Sequence, residues 1–367
     1  MLLIADQFKE PKASSNAELL SIRKTVCFMA VVFVVLLEVL FSGARIADWD
    51  LSSAFLSMSE GRVPNLAPDR QFQLEGLLPN SVGAGYAVIG LRGGKLLITT
   101  WLTGILFFLS VCGYYMHLGR IGFSAVFLMI LSTRITDTFS MWQGRNDAFF
   151  LAFVVVGVLS PSVALSAAAF SLACFCHPLI AILSFLGVLA AKLVMKQRIN
   201  LLHAAFVVSS FAVTQLLIRS LYPGIRDRTA YLAQGFHDIL FSGMHYSLVV
   251  IVSCLFIPLF GLYVSNPDGF AGSLRNRSAT LFLAWLALVS VVSTLLVLDH
   301  TRVATMLTFG PLVLLYAGLV PSGLPRDRHV VNAMVGLFAA RLLAPHVDMH
   351  GILMFEWREY LEFFRLR

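Results

Sequence analysis

Charge is what this sequence has least of. Only 13% of its 367 residues are Asp, Glu, Lys or Arg, while 58% are hydrophobic. Charged residues usually make up about a quarter of a soluble domain. A chain of this make-up cannot cover its surface with polar groups, so lipid is its expected solvent. No polar stretch between the apolar segments is long enough to fold as a separate soluble domain. Cysteines are few, and Cys27, Cys112, Cys174, Cys176 and Cys254 all lie in or beside apolar runs. Cys174-Phe-Cys176 lacks the two-residue gap of a redox or zinc pair, so the cysteines read as small packing residues. Phosphate-binding glycine loops, His-Glu-x-x-His motifs and nucleophilic serine elbows are missing. There is no internal repeat. The net charge of +7 comes without a basic run or basic-aromatic stripe, which argues against a nucleic-acid partner. Basic loops facing anionic lipid account for it.

What is present is a succession of apolar segments. The expected fold is all-α, a polytopic transmembrane helix bundle of about 11 spans. The spans fall at 25–42, 96–116, 121–133, 147–160, 162–176, 178–195, 200–220, 246–265, 278–297, 303–320 and 329–344. This gives a tail over 1–24, a transmembrane domain over 25–350 and a C-terminal amphipathic helix over 351–367. A long external loop covers 43–95, with a short interfacial helix from Leu51 to Glu60. Spans 121–133 and 147–160 fall short of the roughly 20 residues of a full crossing, so they tilt, extend or re-enter. At His177-Pro178, a bent helical hairpin and two short helices both fit. The C-terminal piece sets Ile352, Leu353, Phe355, Trp357, Tyr360, Phe363 and Phe364 among Glu and Arg, the pattern of an interfacial helix.

Threading the spans alternately through a bilayer sorts the ionisable residues. One side collects Lys9, Lys12, Arg23, Lys24, Arg120, Lys192, Lys196, Arg198, Arg275, Arg277, Arg326 and Arg328, against only Asp6, Glu10, Glu18, Asp268 and Asp327. By the positive-inside rule that side is cytoplasmic. The expected location is therefore the inner (plasma) membrane, multi-pass, with the N-terminus inside. The other side receives the polar clusters, and ionisable groups at membrane depth are costly unless functional. That face, periplasmic or extracellular, is where a site is expected.

Six clusters compete for it. Asp48-Trp-Asp50 precedes Glu60-Gly-Arg-Val-Pro64, and a carboxylate there can take a proton from a sugar hydroxyl or cap the interfacial helix with Asp50 at its N-cap. Arg134 with Asp137 lies at the end of a short span. Trp142-Gln-Gly-Arg145-Asn-Asp147 opens another. Its guanidinium can grip phosphate bidentately with Asp147 holding it, or the Asp can cap a helix while Arg145 snorkels. His177 ends a small-residue segment, and a lone His in apolar sequence also serves as a hydrogen-bonded core residue. Leu298-Asp299-His300-Thr301-Arg302 packs more polarity into a short connection than a turn needs. It reads as a headgroup or pyrophosphate site centred on Arg302, oriented by Asp299 and His300. The loop 219–245 adds Arg219, Arg226 and Arg228, which can attract an anionic glycan or belong to a solvated loop. For metal, His346-x-Asp348-x-His350 would hold a divalent cation only as a strand, where alternate residues share a face. No other cofactor is called for.

An apolar span, Asp50, about ten residues and then Gly61-x-x-Pro64 resembles the first external loop of polyprenyl-phosphate-sugar-dependent glycosyltransferases of the GT-C superfamily. In these an acidic residue of that loop acts as base or orients the acceptor. The small-residue helix through Ala167, Ala168 and Ala169 to His177 resembles a segment of EpsG-like and O-antigen-polymerase (Wzy-type) proteins. Many other GT-C members have Lys-Pro where this chain has His177-Pro178. The spacing Arg219 to Gly235 is similar to one in O-antigen polymerase loops, and 298–302 is similar to their late polar turn.

The resemblance implies glycosyl transfer from a polyprenyl-linked donor to a glycan acceptor on the outer face, building a surface polysaccharide beside other assembly proteins. Its roles are Asp50 as base, Asp48 as helper, His177 as a further catalytic hydrogen bond, and Arg302 with Arg145 on phosphate. A Wzy-type polymerase of diphosphate-linked repeat units is the near alternative. A lipid-linked-sugar transporter or flippase and a noncatalytic assembly subunit are alternatives of other classes.

Overall fold

A computed structural model describes residues 25, 28, 29, 31–33, 35, 49–64, 74–141, 147–223, 246–275, 278–295, 300–320, 332, 336, 346–348 and 351–353. Among these the architecture is a helix bundle. Helices α1 (Trp49–Ser59) and α2 (Leu77–Val88) belong to the first loop. They are followed by α3 (Gly93–His117), α4 (Phe123–Ser132), α5 (Ile135–Met141), α6 (Asp147–Leu159), α7 (Val163–Cys176), α8 (Pro178–Val194) and α9 (Leu201–Leu221). Then come α10 (Tyr246–Ser265), which contains a π-helical turn at Val252–Phe256, α11 (Pro267–Leu274), α12 (Ala279–Leu295) and α13 (His300–Leu319).

Among the described residues, four helices are long and apolar enough to cross a membrane: α3, α9, α10 and Thr301–Leu319 of α13. The α11–α12 pair, bent by 94°, makes a fifth if counted as one span. Helices α4, α6, α7 and α8 are apolar but have only 10–17 residues. At about 1.5 Å per residue, helices of 13 and 14 residues such as α6 and α7 reach only about 20 Å, short of a full crossing; α6 is almost wholly buried, whereas α7 exposes Val163, Leu165 and Leu172. Leu202, Phe206, Val213 and Leu216 of α9, Phe256 and Phe260 of α10, and Leu281 and Leu283 of α12 are exposed. An apolar outer surface this extensive is a lipid-facing one.

Local signals set the ends. Ser162 accepts from the Leu165 amide at 3.3 Å and caps α7. Asn200 accepts from His203 at 3.1 Å and caps α9, and Asn266 caps α11, each satisfying an otherwise orphaned donor. Pro178 opens α8 at N1, where its missing amide is not needed. His177 is the only residue between α7 and α8, so the two form a hairpin with a one-residue corner.

The packing gives directions. Gly104 of α3 lies against Ala148 and Phe149, and Phe107 stacks near Phe153, so α3 and α6 run parallel. Gly310 of α13 lies against Val154, Ser184 and Val188, and Gly318 lies against Met195. Helices α6, α8 and α13 therefore run parallel, with α13 almost wholly buried at the centre. Their N-termini share one end of the bundle. Helices α1 and α2 sit at that end, with Phe55, Ala87, Leu96 and Leu97 forming a small core over the first turns of α3. The Tyr86 hydroxyl meets that of Thr103 at 2.7 Å.

Some expectations need correction. Gly351–Leu353 is a strand, paired antiparallel with His346–Asp348, so the amphipathic helix cannot begin at residue 351. His346–Asp348 forms a strand, but the side chains of His346 and Asp348, and His350 as a whole, lie outside the described residues. The first loop carries two helices, and Pro79 falls in the first turn of α2, where proline is tolerated. The span 121–133 is only half of a broken helix, α4–α5, interrupted at Thr133 and Arg134.

Candidate functional site

Three residues far apart in sequence meet at the shared N-terminal end of α6, α8 and α13. Asp147 is the first residue of α6, His177 the corner before α8, and Arg302 lies in the first turn of α13. The Arg302 guanidinium binds the Asp147 carboxylate in bidentate fashion. Nε donates to Oδ2, and Nη2 donates to Oδ1 at 2.6 Å. His177 Nε2 lies 2.8 Å from the same Oδ1 and 3.3 Å from Arg302 Nη2. The edge of the His177 ring meets the face of Phe150, with centroids 6.0 Å apart.

Fork-to-fork geometry is the strongest form of Arg–carboxylate contact. It matters because Asp147 is 2%, Arg302 2% and His177 7% exposed. An unpaired charge at this depth would be expelled or neutralised. The pair cancels its own formal charge, and three helix N-termini, each carrying roughly half a positive charge, meet there with the oppositely signed C-terminus of α7, which ends at Cys176. The N-termini outnumber it, and the net field favours an anion placed against the site.

The first loop lies over this end. Gly104 is level with Ala148, and α3 extends eleven residues further toward its first residue, Gly93, or about 16 Å. Helices α1 and α2 pack on that extension. Asp50 is the second residue of α1, so it lies inside the helix and does not serve as its N-cap. Glu60 and Arg62 pair with each other at the surface.

The remaining candidates divide. Arg134 is buried at the α4–α5 break. Ser132 beside it bonds Tyr316 at 2.7 Å, and Phe139 of α5 packs on Phe108, which reaches Phe309. The break therefore lies alongside the Phe309–Tyr316 stretch of α13, about 10–20 Å below Arg302, away from the Asp147 cluster. Arg219 is in the last turn of α9, exposed, and at the same end as the cluster, because α9 runs parallel to α7 through Ser171–Ser210. His300 begins α13, so 300–302 belongs to a helix and not to a turn. The positions of Asp48, Arg145, Arg226, Arg228 and Asp299, and the side chains of Asp50, Asp137 and His300, lie outside the described residues. Asp147 was expected to hold Arg145, which lies outside the described residues; among those described, its two oxygens engage Arg302 and His177. No group of three or more metal-ligating side chains occurs among the described residues.

Two features were not legible in sequence. Ser132, Thr133, Arg134, Thr136 and Thr138 are all buried, a polar run hidden inside the bundle. His203, paired with Ser166 at 3.4 Å, lies between Phe170 and Phe185. It belongs to the opposite end, with the turns carrying Arg120, Lys192, Lys196 and Arg198. Compared with known proteins, the chain matches no protein family, no curated protein and no solved structure.

Proposed function

We propose that this protein transfers a glycosyl group from a polyprenyl-(di)phosphate-linked sugar to a glycan acceptor at the non-cytoplasmic face of the plasma membrane. The observation that carries the reading is the buried Asp147–His177–Arg302 cluster at three parallel helix N-termini. A lipid-linked donor presents phosphate at the membrane surface and leaves as an anion. Its departure requires fixed positive potential, already oriented before reaction. The net positive field of the helix N-termini gathered around the neutralised Asp147–Arg302 pair supplies that potential, with Arg145 two residues before Asp147 in sequence as a further cation. Asp48 and Asp50 belong to the loop whose helices lie over the cluster, the side from which an acceptor approaches. Asp299, His300, Arg219, Arg226 and Arg228 border the same end in sequence and contribute to headgroup binding.

The test uses purified protein in lipid nanodiscs with a radiolabelled extract of the host's polyprenyl-linked sugars. Formation of a glycosidic bond that is lost in Arg302→Lys supports transfer. Arg302→Lys keeps charge but not the bidentate fork. Product length separates single-sugar transfer from Wzy-type polymerisation. A specific observation favours a second reading, a lipid-linked-sugar transporter. The broken α4–α5 helix, with Arg134 buried at the break, is the kind of discontinuity that lines transport pathways. Movement of labelled donor across vesicles without a new glycosidic bond would establish that reading instead.

A further inference from the structure

Within the buried cluster the three side chains are not equally accessible. The Asp147 side chain is 0% and that of Arg302 2% exposed, whereas the His177 ring retains 8%. Both Asp147 oxygens are engaged by the guanidinium, and Oδ1 also takes Nε2 of the imidazole. A carboxylate so committed to a cation is a poor proton acceptor. An imidazole is a good one near neutral pH, and a carboxylate on one ring nitrogen fixes the ring and stabilises the imidazolium that forms. The backbone of His177 is held at the single-residue corner between α7 and α8, and its ring is held by Asp147 and Phe150. Its amide donates to Ala173 at 2.9 Å, and its carbonyl accepts from Ala181 at 2.8 Å.

Building on the glycosyl-transfer reading, we propose that His177 is the proton acceptor of the reaction, with Asp147 and Arg302 as its positioning residues and Asp50 orienting the acceptor. Nδ1 takes the proton of the acceptor hydroxyl. The oxygen lone pair forms the new bond to the anomeric carbon. The bond from that carbon to the phosphate oxygen breaks, and its electron pair leaves with the polyprenyl (di)phosphate. The imidazolium then returns its proton to water. Arg302 thereby acts through Asp147 as well as through its charge, since without the guanidinium the carboxylate would no longer be aimed at Nε2.

The experiment compares wild type with His177→Gln, His177→Ala and Asp50→Ala in nanodiscs, titrating the extract of polyprenyl-linked sugars at saturating acceptor and then the acceptor at saturating extract. Gln retains a donor for Asp147 but cannot take the proton. The expected result is a fall in kcat of about 100- to 10,000-fold in His177→Gln with KM for donor within a few-fold. Partial return of kcat in His177→Ala on adding free imidazole is expected as well. Asp50→Ala should change mainly the KM for acceptor. If His177→Gln keeps its kcat, or loses it only through KM, the assignment to His177 is overturned while glycosyl transfer stands. If wild type forms no glycosidic bond from any component of the extract, the reading beneath it fails and the proposal with it.

Discussion

Separating the two halves of the Asp147–Arg302 pair is the perturbation with the clearest physical outcome. Asp147→Leu leaves a guanidinium that is 2% exposed without its counter-charge, and Arg302→Met leaves an equally buried carboxylate. Removing one partner of a buried pair destabilises by about 3–5 kcal/mol, because the survivor loses its bidentate counter-charge while staying out of water, and the contact of His177 with Asp147 replaces only part of it. Solvent screening does not soften this, since neither group reaches water. The double variant Asp147→Leu/Arg302→Met removes both charges and offers apolar atoms in their place, a change that is often neutral or stabilising. The double variant should therefore be at least as stable as either single one. Unfolding of the three variants and wild type in mixed micelles, followed by tryptophan fluorescence, gives the cycle. If the double loss equals the sum of the single losses to within about 0.5 kcal/mol, the two groups are not coupled and the described geometry is wrong.

Two further outcomes test the packing on which the site rests. A Cβ at Gly310 would lie 2.8 Å from Ser184 Oγ and 2.9 Å from a Val188 methyl. Gly310→Val should thus lower stability by about 1–3 kcal/mol, read as a drop in Tm, whereas Gly85→Ala, with nothing within 4 Å, should leave Tm unchanged or raised. Tyr316 donates to the Pro258 carbonyl at 2.8 Å while meeting Ser132 at 2.7 Å, so it ties α4, α10 and α13 together. Tyr316→Phe should cost about 0.6–1.7 kcal/mol. An unchanged Tm in detergent would mean that these hydroxyls find other partners.

How much was legible in sequence depended on the range of the signal. The positions of α3, α9, α10 and α13 follow from apolar runs of crossing length, which need only neighbouring residues to recognise. Asp147, His177 and Arg302 were each identifiable as polar groups at the ends of apolar segments. Their partnership was not, since Asp147 and Arg302 are separated by 155 positions and nothing local pairs them. Sequence suggested Arg145 as the partner of Asp147 because it was nearest along the chain. The break in α4–α5 was legible only in part. Arg134 and Asp137 stood out in sequence as a polar pair at the end of a short span, but only the structure shows that a second helix follows at Ile135 and that Ser132, Thr133, Arg134, Thr136 and Thr138 are buried.

The sequence by itself determined that this chain is helical and apolar, and it determined where helices begin, as Ser162, Asn200 and Pro178 illustrate. Those outcomes depend on solvent transfer and on backbone groups within one turn. Alternate threading already gave α6, α8 and α13 one direction and put their N-termini on one face, but tertiary structure alone decided that these three helices pack side by side and bring those N-termini into contact. That choice rests on close approach at Gly104 and Gly310, where a missing side chain admits a neighbouring helix. Which charge neutralises which inside the bundle is settled by that approach and cannot be computed from distance along the chain.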